Sequence, residues 1–135
     1  MPTSRVEDFF AYECAVRFKE EVHRIVRASP EAYRDLKYRG NLWEAADAID
    51  SDMAEGFYRG NPAECVNFLR YALGSLAEAE RRLRNGITRG YFEEADCKTA
   101  FTWATRCAPA TRSWLRSQQR EAERRRKRKR GKGSG

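Results

Sequence analysis

The stretch NPAECVNFLRYALGSLAEAERRL, residues 61–83, holds both a helix start and a helix face. Asn61 offers a side-chain oxygen to the free backbone amides of a first turn. Pro62 sits at the first helical position, where its missing N–H costs nothing, and Glu64 follows two residues on. Cys65, Phe68, Leu69, Ala72, Leu76, Ala79 and Leu83 then recur at spacings of three and four, which lines them along one side of a helix. Gly74-Ser75 removes side-chain bulk mid-helix at a cost of up to about 1 kcal/mol, and a closely approaching neighbour is the expected return. Gly86 weakens the end. Gly90 is the better stop, with Tyr91 and Phe92 turning the chain back.

The same period governs the flanks. Upstream, Gly60-Asn61-Pro62 breaks a helix that is clear from Asn41, with Leu42, Ala45, Ala46, Ile49, Met53 and Phe57 beside the acids Glu44, Asp47, Asp50, Asp52 and Glu55. Residues 31–40 are open to three readings: a loop, a short helical turn, or a ragged approach to that helix. Ser4-Arg5-Val6-Glu7 matches a capping box and predicts the start of a first helix. Phe9, Tyr12, Ala15, Phe18, Val22 and Ile25 line its face, and Ser29-Pro30 ends it. Downstream, a fourth helix is expected from about Glu93 to near Gln119, carrying Cys97, Phe101, Ala104, Cys107 or Ala108, Thr111 and Leu115. Pro109 inside it predicts a kink. No segment alternates with period two over enough residues to build a sheet. The expected architecture is all-α: an antiparallel up-down-up-down four-helix bundle over residues 1–119, followed by a disordered basic tail, residues 120–135.

Composition supports one globular, soluble domain. The chain has 135 residues, 41% hydrophobic and 35% charged, enough to bury a core. No apolar run approaches a membrane span and no secretory pattern opens the chain, so a cytoplasmic protein without membrane association is expected. Cys14, Cys65, Cys97 and Cys107 lack any C-x-x-C pair and read as small buried apolar residues. The net charge of +7 is concentrated. Residues 1–119 hold 18 basic and 18 acidic side chains, whereas residues 120–135 hold nine basic and two acidic. Within the body, residues 1–56 carry four more acids than bases and residues 57–119 four more bases than acids.

Two runs resemble a known family. Residues 45–57, AADAIDSDMAEGF, are close to an A-A-x-S-I-x-x-N-I-A-E-G-aromatic pattern, and residues 68–78, FLRYALGSLAE, are close to F-L-x-x-A-x-G-S-L-x-E. Both occur in the four-helix-bundle proteins encoded in intervening sequences of bacterial 23S ribosomal RNA genes. That family includes the accessory variability determinant proteins of diversity-generating retroelements. Phe9, Ala11, Tyr12, Ala15 and Phe18 fit the family's first helix, and Gly90-Tyr91-Phe92 resembles its G-Y-L turn. Ala48, Asp52, Asn41 and Pro109 depart from the pattern. The resemblance spans roughly Val6 to Arg116 and implies homo-oligomers, with pentamers among the retroelement members, which bind nucleic acid and a reverse transcriptase.

Enzymatic chemistry finds little footing in the residues. The only histidine, His23, lies at the edge of the first helical face and reads as an interfacial or exposed side chain, without the base and orienting group that a nucleophile needs. The acids of the second helix lack the Glu-x-x-His pairs that complete carboxylate metal sites in bundles, so a solvated or subunit-facing acidic surface is expected. No phosphate loop is present, and neither cofactor nor metal is predicted. Trp43, Trp103 and Trp114 fall near apolar stripes and read as core or subunit interface rather than as a base-stacking platform.

The basic run points elsewhere. Arg120, Arg124, Arg125, Arg126, Lys127, Arg128, Lys129, Arg130 and Lys132 form a dense cationic end suited to the phosphates of RNA or DNA, and copies in an oligomer would multiply it. Arg81, Arg82, Arg84 and Arg89 are candidates to extend that surface. A non-enzymatic, homo-oligomeric nucleic-acid-binding accessory protein is therefore expected, with a reverse transcriptase as the protein partner that the resemblance implies. The alternative is an oligomeric adaptor that binds only protein and carries a solubilising tail.

Overall fold

The computed structural model describes residues 5–133. It consists of α1 (Phe10–Ala28), α2 (Pro30–Arg34), α3 (Leu36–Tyr58), α4 (Pro62–Thr88) and α5 (Lys98–Gly133), with 3-10 turns at Val6–Asp8 and Glu94–Cys97. No strand occurs among the described residues. α1 and α4 each pack against both α3 and α5, which closes a bundle-like ring of four long helices.

Individual contacts give the directions. Lys19 meets Asp50 and His23 meets Asp47, so α1 and α3 run oppositely. Tyr38 near the start of α3 donates its hydroxyl to the Arg82 carbonyl near the end of α4. Phe9, just ahead of α1, stacks on Trp114 far along α5 with ring centres 4.1 Å apart. The core between them includes Phe18, Leu42, Ile49, Met53, Leu69, Leu76 and Leu83, all fully buried. Each such side chain contributes about 1.5–3 kcal/mol by leaving water.

Several boundaries differ from the sequence expectation. The first α-helix begins at Phe10, after a 3-10 turn, and Glu7 pairs with Arg5 at 3.5 Å. Ser4, on which the proposed capping box depends, lies outside the described residues. The open stretch 31–40 resolves into α2 and the first turn of α3. The Ser29 hydroxyl caps α2 by accepting the Ala32 amide, and the Asp35 carboxylate caps α3 by accepting the Tyr38 amide. Two short polar side chains thus make a fifth helix and start α3 five residues ahead of Asn41.

α4 starts where expected: the Asn61 side chain accepts the Glu64 amide at 3.1 Å, with Pro62 in the first turn. It ends at Thr88 and is stopped by Gly90, whose φ of 81° is open to glycine at little cost. The Tyr91 amide reaches back to the Gly86 carbonyl and the Gly90 amide to that of Ile87, the paired bonds of a Schellman stop.

The expected close approach at Gly74 is overturned. Gly74 is exposed, and a Cβ there would meet nothing within 4 Å. The tight positions are Gly56, where a Cβ would lie 2.9 Å from that of Phe68, and Gly86, where it would lie 2.3 Å from the Tyr38 hydroxyl. Both fall in phase with the buried stripes of α3 and α4, whereas Gly74 is out of phase.

The largest correction concerns the tail. Residues 120–133 are not a disordered appendage: α5 continues without a break through Pro109 and past Gln119 to Gly133, and residues 134–135 of the expected tail lie outside the described residues. Pro109 sits on the exposed side, so the amide bond it forgoes faces water rather than the core. Beyond it, Arg, Lys, Glu and Ala are all strong helix formers. Pairs at i,i+3 and i,i+4 link Glu121 to Arg124 and Arg125, and Glu123 to Arg126. Cations near a helix C-terminus also offset its partial negative charge.

Candidate nucleic-acid interface

α5 changes character along its length. Ala100, Ala104, Cys107, Thr111, Trp114 and Leu115 are buried against the bundle. Gln118, Glu121, Ala122 and Glu123 are half-buried, and Arg124 to Lys132 are all exposed. The bundle therefore supports the helix up to Glu123 and leaves a rod of cations beyond it. Glu121 binds Arg124 at 2.7 Å and Arg125 at 3.3 Å, with Arg128 at 3.9 Å. These guanidiniums, Arg124 first, hold the Glu121 carboxyl below the usual carboxylate range. Among the described residues, Arg120, Lys127, Lys129, Arg130 and Lys132 form no ion pair, so their charge is offered to solvent.

The four body arginines do not extend this surface. Arg81 and Arg82 both close on Glu78, at 2.8 and 2.6 Å. Arg84 lies over the Phe101 ring at 4.2 Å. Arg89 approaches Asp35 at 3.7 Å and covers the Tyr38 ring at 5.3 Å. All four sit toward the far end of α4, whereas the tail flanks its first turns near Asn61 and Val66. At 1.5 Å per residue the separation from Val66 to Arg84 is about 27 Å. Clustering in sequence counted their charge and missed their partners. The side chain that the structure does bring to the tail is Arg70, which shares a groove with Arg125, Arg126 and Lys129. No sequence signal marked it, since it stands alone on α4.

The other chemistry-bearing groups are drawn into packing. All four cysteines are free and buried, and burial pushes the thiols of Cys65, Cys97 and Cys107 up to about 11. His23 shares a hydrogen bond with Asp47 at 2.7 Å and stacks on Trp43 with ring centres 4.5 Å apart. Trp114 is buried, while Trp43 and Trp103 are half-buried against the core. The acids of α3 are not one solvated set. Asp50 is buried and accepts from Lys19 at 2.8 Å, its other oxygen lacking a partner, and Glu55 pairs with Arg59. Burial disfavours the Lys19 cation, but the Asp50 hydrogen bond outweighs it and raises the ammonium's pKa. No group of three or more His, Cys, Asp or Glu side chains converges among the described residues, and no described helix is long and apolar enough to cross a membrane.

Fold and charge together define a small helical bundle-like protein whose excess cations ride on one projecting helix. Residues 7–112 match the sequence model of the 23S rRNA-intervening sequence protein family, and the chain belongs to that family. Comparison with curated proteins gives no match.

Proposed function

We propose that this protein is a non-enzymatic, cytoplasmic nucleic-acid-binding accessory factor that holds RNA or DNA by its phosphates along the end of α5. The observation that carries this reading is the run Arg124–Arg130, seven consecutive cations, all exposed and held on one helix beyond the last half-buried residue. A helical rod spaces its charges at a fixed 1.5 Å rise, so several contact one backbone at once and release condensed counterions. Phosphate contact dominates, and sequence preference is weak.

In this reading the chain forms an antiparallel four-helix bundle that self-associates, as a pentamer by its resemblance to the retroelement members, and serves a reverse transcriptase. A chain ending at Gln119 tests the central claim. Its affinity for RNA and DNA should fall by about 100-fold or more near physiological salt, and its salt dependence should flatten. Unchanged affinity and slope would remove the tail from the function and put the site on the folded body, whereas no binding by the full chain would leave the protein-only adaptor. Sedimentation of the full chain reads the assembly, and a monomer would remove the gain from multiple tails.

A further inference from the structure

The tail does not face solvent on every side. Where it passes the first turns of α4 it closes a groove of about 620 Å³. The groove's floor includes Pro62, Val66 and Ala122, and its cationic rim is Arg70 from α4 with Arg126 and Lys129 from α5. Arg70 and Lys129 form no ion pair among the described residues. Arg126 is met by Glu123, the one carboxylate on the lining.

We infer that this groove is a binding site for an unpaired nucleic-acid strand, with Arg70 as its anchor on the folded body. This inference rests on the nucleic-acid reading above and narrows it from phosphates in general to single strands at one place. Three features carry it. The volume falls within the range of small-molecule sites, about 300–1,000 Å³, enough for a nucleotide or two. Cations stand on both banks, Arg70 on α4 and Arg125, Arg126 and Lys129 on α5, so phosphates of a threading strand meet charge on either side. The floor is apolar, which suits the sugar and base faces that only an unpaired strand exposes. A duplex is a stiff cylinder wider than the gap between packed helices, whose axes lie about 8–10 Å apart. It can touch the outer tail, where Lys127 and Arg130 stand outside the groove lining, but it cannot enter the groove.

The test uses the full chain, with a short oligouridylate, an oligothymidylate and a duplex of equal length as probes at one salt concentration. Arg70→Ala should weaken both single strands by about tenfold, the scale of one charge-assisted contact, and the duplex by less than about threefold. Ala63→Glu places a carboxylate in the groove from an exposed first-turn position where acids favour the helix, so folding is spared. It should show the same split, while Arg17→Ala on the exposed face of α1 controls for simple loss of charge. Equal losses on single strand and duplex, or no loss on either while the parent chain binds, would overturn the groove and leave the tail reading intact. If the parent chain bound none of the probes, both readings would fall together.

Discussion

The two ends of the bundle are built on opposite plans. At the end where α1 finishes and α5 begins, polar groups are answered from within the chain. Ser29 donates to the Tyr91 carbonyl while it caps α2, Tyr91 donates to Asp35 at 2.6 Å, Tyr38 donates to the Arg82 carbonyl, and Arg89 lies between Asp35 and Tyr38. At the end where α4 starts and α5 leaves the core, nine basic residues share two acids, and an open groove lies beside them. A closed network holds a shape, whereas unanswered charge is available to a ligand. Changes at the open end should therefore move binding and spare stability, and changes at the closed end should do the reverse.

The largest effect should come from the open end. Replacing Lys127, Lys129, Arg130 and Lys132 with glutamine removes cations that neither Glu121 nor Glu123 neutralises. Affinity for RNA or DNA should drop by about 100-fold at moderate salt, and the slope of log affinity against log salt should shrink by up to about 3.6, at roughly 0.9 for each of four duplex phosphates. The melting temperature should not change, because these side chains touch no core. A drop in melting temperature of the same order as that of a core variant would show that the rod is part of the fold. Exchanging Arg124 to Arg130 for lysine should retain most binding, since point charges suffice at phosphates.

The closed end should answer in stability. At Gly86 a Cβ would run into the Tyr38 hydroxyl and come within 2.4 Å of the Phe92 ring. Tyr38 cannot yield without giving up its bond to the Arg82 carbonyl. Gly86→Ala should cost about 2–3 kcal/mol in urea unfolding, with the binding of folded protein unchanged. Gly74→Ala, with open space around it, should gain up to about 1 kcal/mol. Like signs for the two would contradict the assigned packing.

These glycines show what was legible in the sequence. The four apolar stripes, the Asn61-Pro62 start and the Gly90 stop depend on neighbours within one or two turns, and the spacing carried them. Gly56 and Gly86 fall in step with Met53 and Leu83, three residues earlier on buried faces, so their burial was readable in principle. Adjacent small residues at Gly74-Ser75 say nothing about phase, and Gly74 falls on the exposed side of α4. The helix beyond Gln119 is not legible from the charge run, which offers no core to pack; it depends on i,i+3 and i,i+4 partners at Glu121 and Glu123 that lie outside that run. Arg70 was out of reach altogether, since its importance comes from residues more than fifty positions away. Its partner across the groove becomes a neighbour only once α4 and α5 run antiparallel.

Asp35 allows the closed end to be probed by pH. Its hydrogen bond from Tyr91, with help from the Tyr38 amide, holds the carboxyl below its ordinary value. A lowered folded pKa contributes stability that is complete above the unfolded value, about 3.9, and is lost as pH falls through the folded one. Asp35→Asn can still cap the Tyr38 amide but loses the charge. Its melting temperature should lie below the parent's at pH 7 and converge with it in strong acid. A gap that stayed constant down to low pH would mean that Asp35 acts through packing rather than charge.

The smallest effect separates the two arginine groups most directly. Arg81, Arg82 and Arg84 add three cations to α4, and by charge alone their removal should resemble the loss of three tail residues. Their surroundings argue otherwise. Glu78 lies within hydrogen-bond reach of Arg81 and Arg82, and the Arg81 guanidinium leads in holding its carboxyl below the usual range. A phosphate would have to displace that partner, recovering little net charge attraction for a pair already exposed to water. Arg84 spreads its guanidinium on Phe101, which ties up its face though not its charge. Changing all three to alanine should therefore weaken RNA or DNA binding by less than about threefold, and should lower the salt slope by less than 1 unit, well short of the tail variant. A loss matching that of the tail cations would mean that nucleic acid runs the length of α4, joining the two ends that the structure holds about 27 Å apart.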